Sequence, residues 1–82
     1  MTELNKKALG LAAGVFSGTG WFLAMTFSLL TGVGEITMTT LGSFHPLFTY
    51  SWTGMLIIVV EHLIVGFLLG WAFAWLYNRF VK

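Results

Sequence analysis

The strongest indication of the fold is the segment WTGMLIIVVEHLIVGFLLGWAFAWL, residues 52–76, in which only Glu61 and His62 interrupt a continuous apolar run. An α-helix rises about 1.5 Å per residue, so a helix of this length exceeds the roughly 30 Å thickness of a bilayer's hydrocarbon core. The segment therefore predicts a transmembrane helix that crosses the membrane with some tilt.

A second apolar segment, ALGLAAGVFSGTGWFLAMTFSLLT at residues 8–31, contains no charged residue and is also long enough to span. Lys6 and Lys7 precede it, so a cleaved signal peptide is the alternative interpretation. The apolar core of a signal peptide is about 7–15 residues long and ends at a small-residue cleavage site. Residues 8–31 exceed that length and lack such a site, so we predict a retained helix.

The composition of the 82-residue chain agrees with a membrane protein. Hydrophobic residues make up 57% and charged residues 9%, whereas a soluble domain carries roughly 25% charged residues. The net charge is +1 without a basic run, and there is no cysteine, which excludes a nucleic-acid binder and a disulfide scaffold. The sequence also lacks a catalytic constellation, so we predict that the protein is not an enzyme.

The basic residues predict the orientation in the membrane. They lie at the two ends of the chain, and the connecting segment 32–51 has none. By the positive-inside rule both termini are cytoplasmic. We predict an all-α, N-in/C-in transmembrane hairpin in the cytoplasmic membrane, with Tyr50, Trp52, Trp75 and Tyr77 as interface anchors. Its parts are a cytoplasmic N-terminus (1–7), helix 1 (8–31), an external, partly interfacial loop (32–51), helix 2 (52–76) and a cytoplasmic C-terminus (77–82).

The loop itself is not plainly hydrophilic. Apolar residues recur within it at spacings of mostly three or four: Met38, Leu41, Phe44, Leu47 and Phe48. This spacing indicates a short helix in the interface or dipping back toward the membrane. Gly32 and Gly34 predict a turn at the exit from helix 1.

Small residues at four-residue spacing predict the contact between the two helices. Helix 1 carries Gly10, Gly14 and Gly18, and helix 2 carries Gly66, Gly70 and Ala74. Such GxxxG patterns let helix backbones approach closely in lipid. If the two spans share a midpoint, these residues pair in antiparallel order as Gly18–Gly66, Gly14–Gly70 and Gly10–Ala74. The alternative is that one of the two stripes contacts a neighbouring subunit.

Glu61 and His62 form a predicted intramembrane polar site. An ionised acid near the centre of a membrane helix costs about 2.5–3.5 kcal/mol on insertion scales, so such residues are functional candidates. The alternative is a protonated Glu61 that only hydrogen-bonds a partner helix. Successive helical residues differ by about 100°, which turns His62 toward helix 1 and Glu61 toward lipid. We therefore predict that another chain covers Glu61, through Thr19 or Thr26 of a second copy or through a different subunit.

Two ligand hypotheses follow from the histidines. His62, flanked by small residues, could be the axial ligand of a haem or chlorophyll-type pigment, with Phe67 and Trp71 lining the site. A structural histidine is the alternative, and we predict no cofactor. His45 and Glu35 in the loop supply two ligands, which do not make a metal site. We interpret both as interfacial polar residues.

The chain resembles short two-helix membrane proteins of largely unknown function that are often described as phage-holin-like. The shared segments are KKALGLA at residues 6–12, LGS at 41–43 and FAWLYN at 73–78. The resemblance implies lateral oligomerisation and, for holins, membrane permeabilisation. Holins commonly end in a dense basic tail, whereas only Arg79 and Lys82 follow helix 2 here, so oligomerisation is the safer implication.

These observations together predict a small, non-enzymatic membrane protein that assembles laterally, as a homo-oligomer or as an accessory subunit of a larger membrane complex. One alternative is a holin-like pore in which Glu61 lines the lumen. The other is a pigment-carrying subunit that uses His62.

Overall fold

The computed structural model describes residues 2–81 of the chain and is all-helical, as predicted. The described residues form three helices: α1 (Lys6–Thr31), α2 (Glu35–Gly42) and α3 (Trp52–Val81). The first and third are long and apolar enough to cross a membrane. The molecule is a rod of 49 × 20 × 17 Å. Met1 and Lys82, which belong to the predicted cytoplasmic ends, lie outside the described residues.

The ends of α1 follow from local sequence. The side chain of Asn5 caps the N-terminus by accepting a hydrogen bond from the Ala8 N–H at 2.9 Å. Gly32 ends the helix with φ of 77°, and its N–H donates to the Ser28 carbonyl. Gly34 also has a positive φ, 78°. A left-handed backbone costs other residues about 1–2 kcal/mol, so these glycines account for the predicted turn.

The helices α1 and α3 pack closely where their glycines meet. A Cβ atom built on Gly66 would lie 2.6 Å from the Gly14 Cα, and one on Gly70 would lie 2.9 Å from the Gly10 Cα. Both approaches are closer than real Cβ contacts, so the two backbones touch. Because residue numbers rise along α1 as they fall along α3, the two helices run antiparallel.

The predicted pairing was wrong by one helical turn. Gly14 lies against Gly66 rather than Gly70, and Gly10 lies against Gly70 rather than Ala74. Gly18, predicted to pair with Gly66, faces the Leu63 side chain instead, 3.1 Å from a built Cβ. A stripe that repeats every four residues looks the same after a shift of four, so the pattern alone does not choose between the two registers.

Most apolar side chains of the helix pair point outward. Within residues 2–81 the buried apolar side chains are Met25, Met55, Ile58 and Ala74. Large side chains such as Phe16 (84% exposed) and Phe80 (79%) lie on the surface of α1 and α3. This is the inverse of a soluble domain, in which apolar side chains of this size are mostly buried.

The segment between the long helices folds back along them. The predicted short helix is present as α2 and ends at Gly42, before the apolar pattern ends. We call the next six residues, Ser43–Phe48, the strap. The Phe48 ring lies against Gly42, which precedes the strap, and the carbonyl of Thr49, the residue after the strap, lies against Gly54 of α3.

Candidate functional site

Three aromatic rings from different parts of the chain meet beside the middle of the rod. The ring centroids of His45 and His62 are 4.9 Å apart, and Trp21 lies 5.5 Å from His45 and 5.4 Å from His62. We call these residues the histidine cluster. Trp21 comes from α1, His45 from the strap and His62 from α3. His62 lies ten residues after the start of α3, which is roughly 15 Å along the helix.

Backbone carbonyls fix the tautomer of both histidines. Nδ1 of His62 lies 2.9 Å from the Ile58 carbonyl, and Nδ1 of His45 lies 3.1 Å from the Leu41 carbonyl. A carbonyl oxygen only accepts hydrogen bonds, so Nδ1 of each ring carries a proton. In the neutral rings Nε2 is therefore the atom that can take up a further proton.

Glu61 lies beside the cluster and lacks a hydrogen-bond partner for one oxygen. Its Oε1 atom is buried and has no partner among residues 2–81. The side chain lines a cavity of about 160 Å³ together with His45, Pro46, His62 and Val65. The prediction that Glu61 faces only lipid in a single copy was therefore wrong: the strap folds over this side of α3 and partly covers it.

The threonines predicted to cover Glu61 have different surroundings in the single chain. Thr19 is exposed. The Thr26 hydroxyl is buried and has no hydrogen-bond partner among the described residues. A third hydroxyl, that of Ser17, donates to the Ala13 carbonyl at 2.9 Å and lies 3.4 Å from the His62 carbonyl of α3.

His62 also borders a second, apolar cavity between α1 and α2. Its volume is about 380 Å³. The lining residues are Phe16, Ser17, Gly20, Trp21, Ala24, Met38, Leu41 and His62. His62 thus lines both this apolar cavity and the smaller one that contains Glu61.

The residues proposed for a pigment site do not surround His62. The rings of Trp21 and His45 pack against it instead. Phe67 packs on Gly10, and the Lys6 ammonium lies 5.5 Å from the Trp71 ring centroid.

The loop residues His45 and Glu35 are not brought together. Glu35 is exposed at the start of α2, whereas His45 is half-buried in the histidine cluster. The structure thus places His45 against His62 and Trp21 rather than beside Glu35. Within residues 2–81 no group of three or more His, Cys, Asp and Glu side chains could hold a metal ion.

The four predicted interface anchors have distinct contacts. The Tyr50 hydroxyl donates to the Ser28 carbonyl at 3.0 Å and lies 2.6 Å from the Ser28 hydroxyl. Trp52 is half-exposed at the start of α3. At the other end of α3 the Arg79 guanidinium lies 5.2 Å from the Trp75 ring, and Tyr77 stacks on Phe73.

Sequence reasoning missed two polar contacts. Asn78 is buried; its Oδ1 accepts from the Leu4 N–H at 2.7 Å, and its Nδ2 donates to the Leu4 carbonyl at 2.8 Å. Asn78 continues the spacing of Gly66, Gly70 and Ala74 by one more step of four, which is a signal for its burial. The contact between His45 and His62 has no comparable signal, because no local pattern joins them.

The chain matches no family model, and comparison with curated proteins and with solved structures finds no significant match.

Proposed function

We propose that the protein is a two-span integral protein of the cytoplasmic membrane, with α1 and α3 as the spans and both termini in the cytoplasm. Outward-facing apolar side chains along both helices support this proposal, because lipid is the solvent that suits them. The orientation rests on the basic residues near the two ends of the chain and their absence from residues 32–51.

Within the membrane, the protein assembles laterally through the surface of α3 that carries Glu61, as a homo-oligomer or as an accessory subunit, without enzymatic activity. The observation that carries this proposal is the Glu61 carboxyl group, which has a buried oxygen without a hydrogen-bond partner in residues 2–81. The strap covers the side chain only partly. The side chain also lies on α3, a helix that we propose to span the membrane and contact lipid. A donor from another chain that contacts the part of the side chain left open by the strap would supply a hydrogen bond, and such a bond between membrane helices contributes about 0.6–2 kcal/mol.

Native mass spectrometry of a mild detergent extract, combined with cross-linking in intact membranes, tests this proposal. We expect the wild-type protein to be bound to other copies or to a different protein. Glu61→Leu should weaken that association roughly tenfold, whereas Glu61→Gln keeps a group that hydrogen-bonds and should retain most of it.

The matched control is Leu69→Ala, which shortens an exposed side chain on the same helix and should leave the association unchanged. A wild-type chain that is monomeric in membranes, or an association insensitive to Glu61→Leu, would contradict the proposal.

The resemblance to holins supports a more specific version, in which the assembly forms a pore lined by Glu61. Dye release from liposomes that contain the purified protein measures this directly. A pore of this kind predicts release that Glu61→Gln alters. Assembly without release leaves the accessory-subunit version.

A further inference from the structure

We propose that His45 and His62 form a proton-binding site, and that protonation of both rings releases the strap from α1 and α3. The proposal goes beyond lateral assembly and does not depend on it, because the residues belong to a single chain. It rests on the geometry of the histidine cluster and on the unequal attachment of its parts.

The neutral state is compatible with close ring packing. Each Nδ1–H is already bonded to the backbone carbonyl four residues earlier in the chain, Ile58 for His62 and Leu41 for His45, so neither ring needs the other as a partner. The two rings lie 4.9 Å apart with the indole of Trp21 beside both. Two neutral imidazoles and an indole can share an apolar site of this kind without any unbalanced charge.

Protonation of both His45 and His62 makes this close packing of the rings unfavourable. Taken up at the Nε2 atoms, the two protons would place two positive charges on rings whose centroids are 4.9 Å apart, a separation at which like charges repel. From α3, Glu61 is the acidic group facing the cluster. From α1 the neighbour is Trp21, and residues 8–31 contain no ionisable side chain that could help. The strap supplies no titratable group besides His45. One carboxylate compensates at most one of the two cations.

The strap is the part that can move in response. His62 is held on α3, which packs backbone to backbone against α1. The strap, by contrast, exposes Phe44 (80%) and Leu47 (79%). Leu47 also has φ of 64°, a left-handed conformation that is unfavourable for a residue with a side chain. Release would relieve this strain, carry the charged His45 toward water and uncover Glu61.

The absence of cysteine allows a direct distance measurement, because introduced cysteines are the sole labelling sites. Phe44→Cys on the strap and Leu69→Cys on α3 replace exposed side chains and can both carry spin labels. Labelled chains are diluted with unlabelled chains in lipid nanodiscs, so that the distance measured is within one chain. Histidine side chains change charge between pH 5 and 8 in the absence of strong perturbation, so spectra are compared at those two values.

We expect the label-to-label distance to be short and narrowly distributed at pH 8, and longer and broader at pH 5. His45→Phe keeps an aromatic ring against Trp21 and His62 but takes up no proton, so its distance should stay short at both values. Glu35→Gln changes an exposed acid on α2 and should keep the wild-type response.

Two results would overturn the proposal: a wild-type distance that does not change between the two pH values, or a change that persists in His45→Phe. If His45→Phe loses its helical circular dichroism, His62→Phe provides the same test from the other ring. Both results concern a single chain, so they are distinguishable from a failure of lateral assembly.

Discussion

The two halves of the rod are held together in different ways. In the terminal half, α1 residues 6–18 lie against α3 residues 63–81, and the contact is made by backbone atoms at glycines. In the loop half, α1 residues 21–31 lie against α3 residues 52–62, and the contact is made by buried side chains, a hydroxyl pair and the strap. The glycine contact of the terminal half depends on shape, whereas the loop half contains side chains whose charge can change.

This difference follows from residue size. Lipid does not drive helices together, so close backbone packing requires small residues, which the terminal half supplies at regular spacing. Beyond Gly18 the contact residues are larger, and the chain fills the space between the helices with Met25, Met55 and Ile58. The histidine cluster lies at the boundary between the two halves.

The largest effect should come from breaking the terminal half. Gly66→Leu places a side chain where a Cβ alone would be 2.6 Å from the Gly14 Cα, so the helices must separate. We expect a loss of about 3 kcal/mol or more in the free energy of unfolding, the upper end of the range for overpacked cores. Reversible unfolding in mixed detergent micelles, followed by circular dichroism, measures it.

The control for this prediction is Gly20→Leu in α1. A Cβ on Gly20 meets no atom within 4 Å, so the substitution adds a side chain without a clash. Its unfolding free energy should be unchanged or slightly higher, because leucine favours a helix more than glycine does. Equal losses in both variants would mean that the terminal half is not held by close backbone contact.

The terminal half was largely predictable from the sequence, and its register was not. The spacing of Gly10, Gly14, Gly66 and Gly70 identifies residues that lie at the contact, because only small residues allow backbones to touch. The same repeat permits pairings that differ by four residues, so the register depends on contacts outside the pattern. Asn78, bonded to the Leu4 backbone, is one such contact.

The loop half was poorly predictable because its contacts are non-local. His45 and His62 are separated by 17 positions, and no local pattern indicates that the strap folds back onto α3. The orientation of Glu61 was predicted from the glycine stripe on its own helix. That calculation turns the side chain away from α1, but it contains no information about the strap.

A smaller effect should follow from releasing the end of the terminal half. Asn78→Ala removes both hydrogen bonds to the Leu4 backbone. The Leu4 N–H and the Leu4 carbonyl then lose these partners. We expect a loss of about 2 kcal/mol, because two bonds of roughly 1 kcal/mol each are removed. Hydrogen exchange at the Leu4 amide should accelerate.

Asn5→Ala serves as the control for Asn78→Ala. It removes the N-cap of α1, which contributes about 1 kcal/mol, but does not touch the bonds between Leu4 and Asn78. The Leu4 amide should stay protected in this variant. Fast Leu4 exchange in Asn5→Ala and slow exchange in Asn78→Ala would reverse the roles we assign to the two asparagines.

The smallest effect should come from the hydroxyl pair of the loop half. The Tyr50 hydroxyl donates to the Ser28 carbonyl, so its own oxygen can accept from the Ser28 hydroxyl. Tyr50→Phe removes both bonds, but the Ser28 hydroxyl can then turn to a carbonyl of its own helix. We expect a loss of about 0.6 kcal/mol, the average for hydrogen bonds between membrane helices.

The location of this effect matters more than its size. If the halves are held independently, Tyr50→Phe should accelerate hydrogen exchange at the end of α1, near Gly32, and leave the amides of residues 10–18 unchanged. Ser28→Ala keeps the bond from Tyr50 to the Ser28 carbonyl and should have a weaker effect at the same amides. Faster exchange throughout α1 in Tyr50→Phe would instead show that the loop half and the glycine contact open as one unit, and a released strap would then loosen the whole rod.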